Sequence, residues 1–171
     1  FTEREKIYYL IEALTGARFT TSYTRVGGLS RDLPEGWLDE LSKFLDEVEI
    51  NFDETETLLT RNPIFLERTQ DVGIITREEA IDFGLSGPNL RGSGVEHDVR
   101  KAQPYMIYDR FDFDVPVGTT GDCYDRYAIR ILEMRESVKI LRQCIADIPG
   151  GLINVDDGKI VLPPKEKVMT N

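Results

Sequence analysis

GDCYDRYAIRILEMRESVKILRQCIADIPGG, residues 121–151, decides the fold class. Asp122 stands where an N-cap belongs, and Asp125 lies in the first turn, where a carboxylate meets the positive end of a helix. Tyr124, Tyr127 or Ala128, Ile131, Met134, Val138, Leu141 and Ile145 follow at threes and fours, the spacing of one buried stripe. Pro149-Gly150-Gly151 ends the run. A helix of this length with one apolar face needs other helices to cover it.

Those other helices are legible upstream. Thr2-Glu-Arg-Glu5 has the capping-box form, and Ile7, Tyr8, Leu10, Ile11 and Leu14 make an amphipathic helix of roughly Glu3–Thr15, closed by Gly16. Asp32-Leu-Pro-Glu35 opens a second helix over about Pro34–Arg61. Its core positions are Leu38, Leu41, Phe44/Leu45, Val48, Phe52 and Leu58/Leu59, and Pro63 stops it. The acidic residues from Asp39 to Glu56 read as its solvated face. Thr76-Arg-Glu-Glu79 is a further capping box, starting a short helix that Gly84 closes.

Strand signals are few. Arg110–Val117 alternates, with Phe111, Phe113 and Val115 opposite Asp112 and Asp114, which predicts a half-buried strand at a sheet edge because of Pro116. Leu152–Val155 and Lys159–Leu162 flank Asp156-Asp157-Gly158 and predict a hairpin. The expectation is a mainly α chain with a few short strands. It forms a single fragment over 1–171, with a helical core of about 3–148 and a hairpin with a ragged tail over 149–171.

Between the first two helices lies GARFTTSYTRVGGLSRDLPEGW, residues 16–37, with four glycines and three arginines. A plain connection needs only a few residues, so a loop this long is expected to contact something. The segment GLSGPNLRGSG, residues 84–94, has neither a phosphate-loop form nor a dinucleotide-binding form, and it reads as a tight structural loop presenting Arg91. Asp98 sits two residues before Arg100. Arg91 and Arg100 read either as members of internal ion pairs or as a positive lining beside a redox centre or a subunit interface.

Composition narrows the chemistry. The chain has 171 residues, 30% of them charged, and a net charge of −10. That balance opposes nucleic acid and anionic lipid as partners. No apolar run is long enough to span a bilayer. Cys123 and Cys144 form no CxxC pair, so neither zinc nor an iron–sulfur cluster can be ligated by them, and two unpaired thiols fit a reducing compartment. His97 alone makes no metal site. No serine has a histidine at a credible spacing, and no carboxylate pair stands out, so no catalytic residue is assigned. Phe1 at the start and Val168-Met-Thr-Asn171 at the end suggest a piece of a longer chain.

A set of short motifs occurs in one order: Gly16-Ala-Arg18, Arg25-x-Gly27-Gly28, Asp32-Leu-Pro34, Leu90-Arg-Gly-Ser-Gly94, Asp98-Val-Arg-Lys101, Gln103-Pro-Tyr105, Gly121-Asp-Cys-Tyr-Asp-Arg-Tyr127 and Glu133-Met-Arg-Glu-Ser137. In this the chain resembles the middle of the D-type family, the large quinone-site subunits of respiratory complex I, the proton-pumping NADH:quinone oxidoreductase. The resemblance runs from Glu5 to about Pro164. It implies a helical-bundle portion of a nickel–iron hydrogenase large-subunit-like fold, without the nickel site. It implies a scaffold for the quinone cavity that packs on the peripheral-arm subunit holding the terminal iron–sulfur cluster. Quinone and cluster then belong to the intact complex, and the fragment binds neither cofactor alone. The implied location is the peripheral arm, on the cytoplasmic face of the cell membrane or the matrix side in mitochondria.

The resemblance places Arg18, Phe19, Thr20, Arg25, Gly27 and Gly28 in the loop at the quinone pocket and cluster junction. It makes Arg91, Asp98 and Arg100 structural or partner-facing. Many relatives have histidine at the position of Thr20, where it is linked to proton-coupled reduction of the cluster. Threonine there implies a lower-potential cluster suited to a low-potential quinone such as menaquinone. The matching region of an energy-converting membrane-bound hydrogenase is the alternative within the same superfamily. A helical interaction module without a redox role is the alternative of another class. Isolated from its neighbours, the piece is expected to self-associate through uncovered apolar surface.

Overall fold

The computed structural model describes residues 2–158, 160, 161, 166 and 169. The chain gathers into two compact units, Phe1–Leu45 with Ile148–Asn171, and Asp46–Asp147.

The first unit opens with α1, Thr2–Thr15, the helix expected from its stripe. Gly16, at φ +81°, closes it, and its N–H donates to Glu12 O at 2.8 Å. No α1 residue is fully buried; Leu10, Ile11 and Leu14 are half-buried and Ile7 is exposed. The loop that follows contains a two-rung antiparallel ladder, β1 (Thr24–Arg25) with β2 (Gly28–Leu29). Gly27, at φ +89°, supplies the left-handed residue of its turn. Helix α2, Trp37–Leu59, begins in this unit, and Trp37 Nε1–H donates to Leu10 O at 2.8 Å. Leu41, Phe44 and Leu45 are buried here.

The segment expected as the first arm of a C-terminal hairpin pairs elsewhere. Asn154 bridges Gly28; Leu29 N–H donates to Ile153 O at 3.0 Å and Val155 N–H to Gly27 O at 2.8 Å. A Cβ on Gly28 would lie 2.1 Å from Ile153 O, so only glycine admits this approach. Of the expected second arm, Lys159 and Leu162 lie outside the described residues, and Ile160 and Val161 turn back onto Asp157 O.

The second unit holds the remainder of α2, then α3 (Pro63–Thr69), α4 (Arg77–Asp82), α5 (Gly87–Gly92), α6 (Val99–Ala102), a 3-10 turn (Tyr108–Arg110) and α7 (Cys123–Ala146). Pro63 does more than end α2, as it sits in the first turn of α3. Asn62 caps α3, its Oδ1 accepting from Ile64 and Phe65 N–H. The Thr76 capping box forms in both directions with Glu79, and Asp122 Oδ1 caps α7 by accepting from Asp125 N–H at 2.8 Å. α3 and α5 pack on α7, and Phe65 meets Tyr127 edge-on at 4.9 Å between centroids.

The core stripe of α7 is turned from the one expected. Ile131 and Val138 are buried as the spacing predicts, but so are Ile129 and Ile140, while Met134 and Leu141 are exposed. The cause is the segment 111–118, which lies along the Ile129–Ile140 side. It is not a strand, contrary to the expectation for Arg110–Val117. Its alternation is kept, with Phe113 fully buried and Asp112 and Asp114 exposed. Its partner, however, is a helix. Gln143 takes Asp112 N–H at 2.9 Å and returns Nε2–H to Asp112 O at 2.7 Å; Glu136 takes Asp114 N–H at 2.8 Å. Side chains of α7 thus supply the hydrogen bonds that a neighbouring strand would supply. Asp125 completes the strap by accepting from the N–H groups of Thr119, Thr120 and Gly121.

The acidic face of α2 is not purely solvated either. Arg142 pairs with Asp46 (2.9 Å) and Glu49 (2.5 Å), and Arg135 with Asp53 (2.8 Å) and Glu56. Both arginines and both carboxylate pairs repeat every seven residues. The two helices therefore run antiparallel with an ionic rung every two turns. Each rung holds its guanidinium more firmly protonated than usual, through hydrogen bonds from the guanidinium to the carboxylates.

Candidate functional site

Two groups of residues singled out by sequence belong to different units. In the first unit, Arg18 folds back on α1, paired with Glu5 and, at 3.5 Å, with Glu12, its guanidinium over the rings of Tyr8 and Tyr9. Phe19 is 73% exposed and Val26 is 75% exposed, which is unusual for large apolar side chains in a packed loop. Thr20 is exposed with φ +45°. A β-branched residue in the left-handed region is strained, and Thr20 cannot relieve the strain without changing the loop. Arg25 donates from Nε to Ser22 O at 2.8 Å and is exposed. The loop therefore presents an aromatic ring, an aliphatic side chain and a guanidinium from a backbone fixed by Gly27, Gly28 and the Asn154 bridge. The strain at Thr20 had no signal in the sequence, since the residue type argues against that conformation.

In the second unit, Arg91 is on α5 and buried, so the expected tight loop presenting Arg91 is a short helix that hides it. Ser86 gives α5 no side-chain cap; Pro88 in the first turn starts the helix instead. Arg91 Nε–H donates to Glu133 Oε1 on α7 at 2.5 Å and Nη1–H to His97 O at 2.8 Å. Asp98 Oδ2 lies 3.8 Å from Arg91 Nη1. The local pair of Asp98 and Arg100 is present and two-pronged, with Arg100 Nε to Oδ1 at 3.0 Å and Nη2 to Oδ2 at 2.7 Å. Asp98 also caps α6 by accepting from Arg100 N–H. The Arg100 side chain holds the Asp98 carboxyl below the usual aspartate range, against the opposing effect of burial. Arg100 stands over Phe113 at 4.9 Å, with Lys101 Nζ at 4.5 Å from the same ring. Glu133 is the member of this cluster that sequence reasoning passes over; it lies inside the motif Glu133–Ser137 without a partner to reveal it.

A cleft of about 400 Å³, lined by Ser86, His97, Val99 and Tyr105, opens above Arg91 and Arg100. Its two guanidinium groups are matched by Asp98 and Glu133, so its floor is charge-neutral and already hydrogen-bonded. The cluster fixes the segment 86–113 more than it offers a binding charge.

Neither group has the makings of a redox centre of its own. Cys123 and Cys144 stand at opposite ends of α7, about 30 Å apart at the rise of an α-helix. Burial raises the Cys144 thiol above its usual pKa. Among the described residues no cluster of His, Cys, Asp and Glu is placed to hold a metal ion, and no helix is long and apolar enough to cross a membrane.

The sequence matches the family described as the respiratory-chain NADH dehydrogenase 49 Kd subunit over residues 1–171. It is similar to the D-type NADH-quinone oxidoreductase subunit of Methylacidiphilum infernorum, 62% identical over 170 residues, which cover 99% of this chain and 41% of that protein. The counterpart from Opitutus terrae is 54% identical over 170 residues, 99% of this chain and 40% of that protein. The counterpart from Akkermansia muciniphila is 53% identical over 171 residues, 100% and 41%. The chain spans about two fifths of the length of the curated relatives it matches.

Proposed function

The chain belongs to the respiratory-chain NADH dehydrogenase 49 kDa subunit family, and from that premise we propose that it is part of the quinone-reducing module of a proton-translocating NADH:quinone oxidoreductase. It acts as scaffold. The loop of Arg18, Phe19, Thr20, Arg25, Gly27 and Gly28 borders the quinone cavity and the junction with the subunit that holds the terminal iron–sulfur cluster. Arg91, Asp98 and Arg100 brace the segment behind their cleft. The module is peripheral and membrane-associated, on the cytoplasmic or matrix face. The match along all 171 residues carries this reading, and the exposed side chains on the rigid glycine loop support it.

The chain's own contribution is to position. Its loop supplies cation and apolar surface, and on the family reading the electron carrier belongs to the neighbouring subunit. The cluster supplies single electrons when present; Thr20 then leaves its surroundings without the titratable cation that a histidine would add. An electron is less welcome without that cation, which fits a low-potential quinone.

The assembled complex tests this. Arg25→Ala is expected to lower NADH:quinone activity while NADH oxidation by an artificial acceptor ahead of the quinone step stays unchanged. Equal loss of both activities, or of neither, would count against the assignment. A pH-dependent midpoint potential of the terminal cluster in the protein carrying Thr20 would refute the role given to threonine.

A further inference from the structure

The outward face of α2 in the second unit carries a feature that the scaffold role leaves unused. Ile50, Asp53, Glu54, Thr57 and Leu58 line an open groove of about 400 Å³. Ile50 is 60% exposed and Leu58 69% exposed. They are eight residues apart, so the stripe runs about 12 Å along the helix. Two aliphatic anchors at i and i+8, with the Glu54 carboxylate at i+4 between them, suit an amphipathic helix laid alongside.

Charge selects the occupant. Residues 46–61 carry six carboxylates and one guanidinium, and Arg135 and Arg142 of α7 add two more. Glu54 forms no ion pair among the described residues, and Asp53, though bonded to Arg135, keeps a side chain 72% exposed. A second copy of this face would set Glu54 and Asp53 against their own duplicates, a like-charge contact that disfavours pairing. A helix with Lys or Arg beside its aliphatic stripe would cover Ile50 and Leu58 and meet both carboxylates.

We propose that the Ile50–Leu58 face docks a cationic amphipathic helix of a neighbouring subunit. This rests on the reading of the chain as part of a multi-subunit oxidoreductase. The test uses the full-length protein in its assembled complex, with the photocrosslinker p-benzoylphenylalanine in place of Leu58. The expected product is a crosslink to a segment of another subunit that carries Lys or Arg at helical spacing with aliphatic residues between. Glu54→Lys should cut that crosslink about tenfold and Glu54→Gln by less. Reversing the crosslinked cation to Glu in the Glu54→Lys background should restore it. A crosslink to the same polypeptide, to a second copy or to a segment without a cation would overturn the proposal. So would no crosslink, or a yield that Glu54→Lys leaves unchanged. Those outcomes leave the proposed function standing if the protein still purifies with NADH:quinone activity; a protein that enters no such complex overturns both.

Discussion

Helix α1 buries no side chain completely, whereas α7 hides Ile129, Ile131, Val138 and Ile140, and the strap along it hides Phe113. The loop after α1 is held by main chain meeting main chain at Gly28 and Asn154. The second unit is held by side chains: aliphatic ones in its core, the Arg91–Glu133 and Asp98–Arg100 pairs behind its cleft, and the ionic rungs between α2 and α7. Shape in the first unit therefore depends on backbone conformations that few residue types can adopt. Shape in the second depends on volume and charge. Both units leave large apolar side chains uncovered, Tyr9, Phe19, Val26 and Leu152 in the first and Ile64, Phe83 and Met106 in the second.

The contrast breaks first at its two strongest points. Phe113→Ala empties a fully buried site and should destabilise the protein by about 3–5 kcal/mol. Thermal unfolding of the variant would show it; a loss near zero would mean that the strap along α7 is not part of the core. Gly28→Ala forces a Cβ onto Ile153 O and should cost roughly 3 kcal/mol, with loss of protection at the Leu29 and Val155 amides in hydrogen exchange and little change on α7. Loss of protection on α7 as well would show that the loop is not held locally.

Arg91→Ala leaves the half-buried Glu133 without its cation and should cost about 3 kcal/mol, with Arg91→Lys recovering only part, because an ammonium cannot bond Glu133 and His97 O in the same fork. Arg142→Ala removes an exposed rung and should cost less than about 1 kcal/mol, an effect that added salt erases. Equal losses for these two arginines would dissolve the distinction between buried and surface pairing.

The smallest effects sharpen the comparison by pH and by strain. The Asp98 carboxyl is held below its usual range in the folded protein, so its contribution is complete above about pH 4. That contribution disappears as pH falls through the lowered folded value. Asp98→Asn should be destabilised near neutral pH and show a shallower acid-unfolding slope; an unchanged slope would remove Asp98 from the acid response. Thr20→Gly should stabilise the loop by up to about 1 kcal/mol by relieving the φ of +45°, less any gain in unfolded-chain entropy. A loss of stability there would mean that the threonine side chain contributes more than the strain removes.

Sequence reading reaches the helices because their signals are local. The Asp122 cap, the Thr76–Glu79 box and the stripe of α1 each depend on neighbours within four residues. It misses the turn of the α7 stripe because Ile129 and Ile140 are buried by a segment that pairs through Gln143 and Glu136; the alternation of that segment reads as a strand, and side-chain-to-backbone pairing leaves no mark on α7. Pro63 reads as a stop, although Asn62 before it is also a cap. The Asp98–Arg100 pair is legible at a separation of two residues; the Arg91–Glu133 pair, 42 residues apart, needs the fold. The seven-residue repeat of Arg135 and Arg142 against the α2 carboxylates is present in the sequence but has meaning only once the two helices are known to run antiparallel.

The way Gln143 and Glu136 grip the strap has an evolutionary corollary. They bind amide and carbonyl groups, which every residue but proline provides alike, so the grip ignores what is written at 112 and 114. In a saturation library, those two exposed columns should tolerate almost any letter while 136 and 143 stay nearly blank, a far steeper contrast than half-burial at 136 and 143 alone would produce.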